Sequence, residues 1–376
     1  MNTSPGAVPR RNPWRLLYDF WTRPIRAEPL ALFRILIGVV TLLSLLTSLG
    51  PRLPLDLGPD GLCPGRAMDG WQKRSGRFCL LRGPVNLPLL DEFLPAESAQ
   101  EWRTWCDAPR NAAWLFGVLV AAVVCMTFGL GTRISTVVAW ALFVSFNQRL
   151  PWVQNGGDSM MRCALFYLLF APAGAVWSLD SVLRRRRDAP GAAIPVLIAP
   201  WPVRLMQIQL ALVYLFTGIS KIPDGLLGND WVSGEAVYWV LNDMSLNRWP
   251  YYWLPAPMLV CRFLSWGTLA FELGFAFVMA MPPRSRFVSV MRSGMLLTGV
   301  ALHLGILVHT EVGWFSPATL CWYALLLSGE KVRKCIFRWT FSREKNIYGW
   351  QIAVFPVCVQ HLPQHLAAQR LVCGVK

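Results

Sequence analysis

The 376 residues are 54% apolar and only 15% charged, with a net charge of +15. Soluble domains hold about 25% charged residues, so the composition excludes an ordinary soluble globular chain. In a soluble chain such a basic excess would suggest nucleic acid, but here it falls between apolar runs, and no nucleic-acid partner is expected.

The first 29 residues carry Arg10, Arg11, Arg15, Arg23 and Arg26 ahead of the first apolar run. They read as a cytoplasmic segment before a membrane anchor, not as a cleavable signal. A helix needs about 20 mostly apolar residues to cross the hydrocarbon. Candidate spans lie near 30–49, 111–130, 134–150, 160–178, 202–221, 257–280, 287–308 and 315–329. Basic residues orient such spans toward the cytoplasm. Arg133, Arg184 to Arg187, Arg284 and Arg286, then Lys331, Arg333 and Lys334, fall in alternate turns. Loops 151–158 and 310–314 hold no Lys or Arg, and 222–256 holds only Arg248. The sequence therefore predicts an all-α polytopic helical membrane protein of about eight transmembrane helices, both termini cytoplasmic. One membrane domain covers 30–329, with a long outer loop at 50–110 and a cytoplasmic tail from 330. The lipid bilayer is its first partner.

Cys63, Cys79 and Cys106 share the long loop, and the spacing does not say which pair would form a disulfide there. In the tail, "YGWQIAVFPVCVQHLP" reads as a short interfacial helix. His361 and His365 have no third ligand nearby, so no metal site is predicted.

The unusual residues gather toward the outer face. Lys221 ends an apolar run and faces an aromatic-rich stretch holding Trp231, Tyr238 and Trp239. A lysine at a helix end ordinarily snorkels to the headgroups. Buried among Phe216, Ile219 and Ile222, it would favour its neutral form and act as a general base. Glu272 lies deep in the sixth span, where a carboxylate needs a partner. Arg34 in the first span is the candidate partner for a structural ion pair. His303, in the seventh span, is a packing residue or a proton-moving group. In "QNGGDSMMR", Asp158 caps the following helix, and Arg162 pairs with it or snorkels outward. No phosphate loop, nucleophile elbow or zinc motif occurs.

Four ordered segments carry a resemblance: "PLALFRILIG", "NGGDSMMRCALFYLLFAPAGAVWSLD", "VYLFTGISKIPDGLLGNDWVSG" and "HLGILVHTEVGWFS". Together they resemble the HTTM domain, the membrane domain of vitamin K-dependent gamma-carboxylases and their bacterial relatives. The resemblance implies a lysine base that deprotonates reduced vitamin K, or menaquinol in a bacterial membrane. Oxygen then converts the quinol to a strong base, which removes a glutamate γ-proton before carbon dioxide adds. By motif position Lys221 is that base, His303 is the late histidine and Arg34 the arginine of the opening helix. Glu272 stands where a carboxylate is found. Asn155, Asp158, Asp224 and Trp231 would line the substrate and quinol pocket. Gly157 stands where the animal carboxylases have a histidine, and Ser220 where they have a second lysine. Their large lumenal domain is expected to be absent. The chain also resembles short bacterial members that help mature secreted peptides. Two expectations follow. One is a quinol-dependent carboxylase-like enzyme acting on a secreted peptide or protein substrate at a bacterial inner membrane. The other is a non-enzymatic partner in maturation or export of such a peptide.

Overall fold

A computed structural model describes residues 12–56, 61, 79–82, 96–150, 154–187, 196–222, 230–249, 257–281 and 285–334. Asp224, Cys63, His361, His365 and the tail segment from 346 lie outside the described residues, as does most of the 50–110 loop.

The chain opens with α1 (Pro13–Thr22), capped by Asn12, whose side chain accepts from the Trp14 N–H at 3.0 Å. Trp14, Leu17, Tyr18 and Phe20 of this short amphipathic helix are exposed. A two-residue strand, β1 (Ile25–Arg26), leads into α2 (Glu28–Ser44) and later pairs antiparallel with β2 (Leu197–Ile198). The helical path of α2 runs on in wider and tighter turns to Asp56. After the outer loop come α3 (Ala96–Asp107), α4 (Pro109–Phe128), α5 (Thr132–Arg149), α6 (Gly156–Phe170) and α7 (Leu179–Arg187). Then follow α8 (Trp201–Ile219), α9 (Ala236–Asn242), α10 (Met258–Ala280), α11 (Arg286–His309) and α12 (Phe315–Trp322).

Helices α4 and α5 form a hairpin, α8 packs along α10, and α2 lies against α4 and α12. The hairpin turns at Gly129, whose left-handed φ of 71° a side chain would resist. The centre is packed with Phe33, Phe143, Phe146, Phe275 and Trp322, with Phe33 edge-on to Trp322 at 5.4 Å. The outside is equally apolar: Leu259, Phe263 and Phe277 on α10 and Phe287, Val290 and Leu297 on α11 are exposed. An apolar exterior around a packed core is what lipid contact requires, and the chain is an all-helical integral membrane protein.

A helix stands at each predicted span, but among the described residues five are long and apolar enough to cross unaided: Glu28–Asp56, Pro109–Phe128, Trp201–Ile219, Met258–Ala280 and Arg286–His309. The other three fall short for local reasons. Helix α5 ends in the buried polar run Asn147, Gln148, Arg149. Helix α6 stops after 15 residues, with Ala171 extended ahead of Pro172. Helix α12 tightens into a 3-10 turn at Tyr323–Leu326.

Candidate functional site: a lysine–glutamate pair beside a buried tyrosine–histidine chain

Lys221 lies just past the end of α8, where the Ser220 and Lys221 N–H groups still bond back to Phe216 and Gly218. Its Nζ donates to both oxygens of Glu272, at 2.7 Å and 2.6 Å. Antiparallel packing of α8 on α10 sets this register. The two side chains are 13% and 9% exposed, so the charges are paired largely out of water. The Trp231 ring lies 4.8 Å from Nζ, close enough for a cation–π contact. Phe216, Ile219 and Ile222 flank the lysine and are exposed toward lipid.

One face of α8 carries a second polar group, Tyr214, two turns before Lys221. Its hydroxyl lies 2.7 Å from His303 Nε2 and 2.7 Å from the Tyr323 hydroxyl. His303 Nδ1 is 3.4 Å from Ser316 Oγ. The chain Ser316, His303, Tyr214, Tyr323 thus crosses from α12 through α11 and α8 to the 3-10 turn. Phe271 and Phe275, on the same helix as Glu272, close over Tyr214 at ring distances of 5.1 Å and 4.6 Å. Thr217 stands between the two groups, with its hydroxyl bonded to the Val213 and Tyr214 carbonyls at 2.9 Å.

The expected Arg34–Glu272 ion pair does not form. Glu272 is taken by Lys221. Arg34 is fully buried elsewhere and donates to the Ala173 carbonyl at 2.6 Å and to the Trp177 carbonyl. Both carbonyls lie in the irregular stretch after α6, whose open backbone leaves them without helical donors.

Asn155 and Asp158 make a capping box at the start of α6. Asn155 Oδ1 accepts from the Gly157 N–H at 2.7 Å, and Asp158 Oδ2 accepts from the Asn155 N–H at 2.9 Å. Arg162 donates to Ser159 at 3.2 Å rather than pairing with Asp158. Gly157 is tightly enclosed. A Cβ there would stand 2.4 Å from the Trp314 carbonyl carbon and 2.6 Å from the Phe315 nitrogen, so this packing admits no histidine. Asn155 and Asp158, with Ser44, Ser48, Asn147 and Gln154, line a cavity of about 30 Å³. That is room for a water or two, not for a quinone ring. Among the described residues, no hydrogen bond or ion pair joins this capping box to Lys221 or Trp231.

Sequence reasoning missed Tyr214 as the partner of His303 and Tyr323 as the partner of Tyr214. Their signal was present: Tyr214 lies on the Lys221 face of an otherwise apolar helix. It also missed Asp180, at the end of the second of the four quoted segments, as a brace. Asp180 accepts from the Gly131 and Thr132 N–H groups at 2.8 Å and from the Thr132 hydroxyl at 2.6 Å, tying α7 to the α4–α5 turn.

Among known protein families, the model of the HTTM domain matches residues 104–325. No solved structure matches the chain.

Proposed function

Because the chain belongs to the HTTM-domain family, we propose that it is a quinol-dependent, carboxylase-like enzyme of the bacterial inner membrane. Its base is Lys221, on the outer side. The observation that carries this reading is the Lys221–Glu272 pair beneath Trp231. In this reading the chain crosses the bilayer eight times, with both termini in the cytoplasm. The apolar side chains around Lys221 suit a ring-bearing, lipid-soluble molecule arriving from the bilayer.

A bound quinol supplies acidic hydroxyls and, with oxygen, a base strong enough to ionise a carbon acid. The chain's own residues manage one proton. Lys221 accepts it only when its amine is neutral. Glu272, touching Nζ through both oxygens, is the group to which the ammonium would pass its extra proton before Nζ accepts another from the quinol. Trp231 and the apolar flank keep water away from the pair.

The test uses the detergent-purified full chain with reduced vitamin K or menaquinol under oxygen, following epoxide. Wild type is expected to form epoxide, Lys221→Ala none, and Glu272→Gln at least tenfold less. No epoxide with either quinol would sink the enzymatic reading.

A second reading has its own support. Lys221 is held by two carboxylate oxygens, as a latch between α8 and α10 would be. The protein would then be a non-enzymatic membrane partner in maturation or export of a secreted peptide. Recovery of the same peptide with wild type and with the charge-free pair Lys221→Met, Glu272→Leu would favour it.

A further inference from the structure

Helix α1 stands at the level where two membrane helices begin. The chain enters α2 directly after β1 and α8 directly after β2, so the pairing of the two strands sets both helix starts on one side of the membrane domain. The Ala27 N–H bonds the Val196 carbonyl at 3.1 Å and reinforces that joint. Only Arg23 and Pro24 separate α1 from β1. From the other side, the Phe20 ring of α1 lies 4.6 Å from the Arg204 guanidinium, in the first turn of α8. One covalent tie and one contact thus hold α1 at the surface where the apolar spans start.

The sides of α1 differ. At about 100° per residue, Leu17, Trp21, Trp14 and Tyr18 fall in that order across one face. Phe20 lies at one border, turned to α8, Arg15 at the other, and Asp19 opposite. Trp14 is 75% exposed, Tyr18 67% and Leu17 50%, so the described residues leave this face uncovered. Tryptophan and tyrosine settle at the level of lipid headgroups, because each joins a large apolar ring to one polar atom. Trp201, also exposed, opens α8 at the same joint. The charge around the face selects the lipid. The first 29 residues hold five arginines against Asp19 and Glu28, and Glu28 is taken by Arg26 at 2.6 Å. Arg15 and Arg23 are exposed and form no ion pair among the described residues. We infer that α1 is an in-plane anchor, whose face of Leu17, Trp21, Trp14 and Tyr18 docks into the anionic lipid interface around the starts of α2 and α8. An amphipathic helix with aromatic and basic residues on separate sides binds such a surface through apolar burial and charge together.

The experiment places p-benzoylphenylalanine singly at positions 14, 17, 18 and 19 of the full chain, reconstituted in vesicles of equimolar phosphatidylglycerol and phosphatidylcholine. After irradiation, mass spectrometry reads what each position has captured. Lipid adducts are expected at 14, 17 and 18, several times more than at 19, with phosphatidylglycerol in excess. Arg15→Gln with Arg23→Gln should remove that excess while lipid capture at 17 persists. Leu17→Glu should cut capture at 14 about tenfold, the scale of burying one leucine. All these side chains are exposed, so the packed core stays intact, which an unchanged thermal midpoint checks. Equal lipid capture at all four positions would overturn the assignment, as would no lipid at 14, 17 and 18. A crosslink to a second copy, or to the chain's own segment after residue 334, would give the face to that occupant instead. Equal adducts of the two lipids in wild type would overturn the anionic preference.

Discussion

Replacing Glu272 with Gln takes away the carboxylate on which Lys221 Nζ makes both of its hydrogen bonds. Removing one partner of a buried pair leaves the other charge uncompensated. With side chains 13% and 9% exposed, we expect Glu272→Gln to cost about 2–4 kcal/mol, a little under the fully buried range. Lys221→Met with Glu272→Leu should fold within about 1 kcal/mol of wild type, because neither charge then remains. A double-mutant cycle of denaturation midpoints in detergent checks this, and additive single effects would show that the pair is not coupled. Both residues were legible in the sequence as unusual, and their partnership was not. A carboxylate in an apolar span announces that it needs a cation. Whether that cation is Arg34 or Lys221 depends on how α8 lies along α10, a register set by tertiary packing. The same limit applies to His303: its partner Tyr214 is 89 positions away, and Tyr214's other partner, Tyr323, is 109 positions from it.

At the level of elements, local signals were read well and joints between helices poorly. Asn155 and Asp158 cap α6 as the order Asn-Gly-Gly-Asp suggests, since a cap needs only neighbours three positions away. Asp180 is the contrary case, because its partners in the α4–α5 turn are 48 and 49 positions distant. Burial alone would raise its carboxyl, but the bonds from Thr132 and Gly131 prevail and hold it below the ordinary carboxylate range. The sign follows from linkage. The unfolded chain binds a proton more readily, so the stabilisation is full above the unfolded value of about 4 and is lost as pH falls through the lower folded value. Between pH 6 and pH 3 the thermal midpoint of wild type should therefore fall more steeply than that of Asp180→Asn. Parallel curves would mean that this brace contributes nothing to the pH dependence.

For the whole molecule, class and family were legible from hydropathy and four short segments, because lipid contact demands apolar runs wherever the helices go. The number of crossings was less so, since α5, α6 and α12 depend on neighbours for the length or apolarity they lack. The eight-crossing arrangement predicts that a reporter active only in the cytoplasm works when fused after residue 334. A reporter active only outside should work after residue 249. Reversed or matching signals would require a different count. Arg34 carries a further consequence. Its two carbonyl partners lie 139 and 143 residues downstream. During synthesis the first membrane helix therefore emerges before either of the carbonyls that its guanidinium will bond. Its native contacts are complete only when the stretch after α6 has been made. The fold thus sets its own order of biogenesis, with the opening helix as the last of the first four long elements to come to rest.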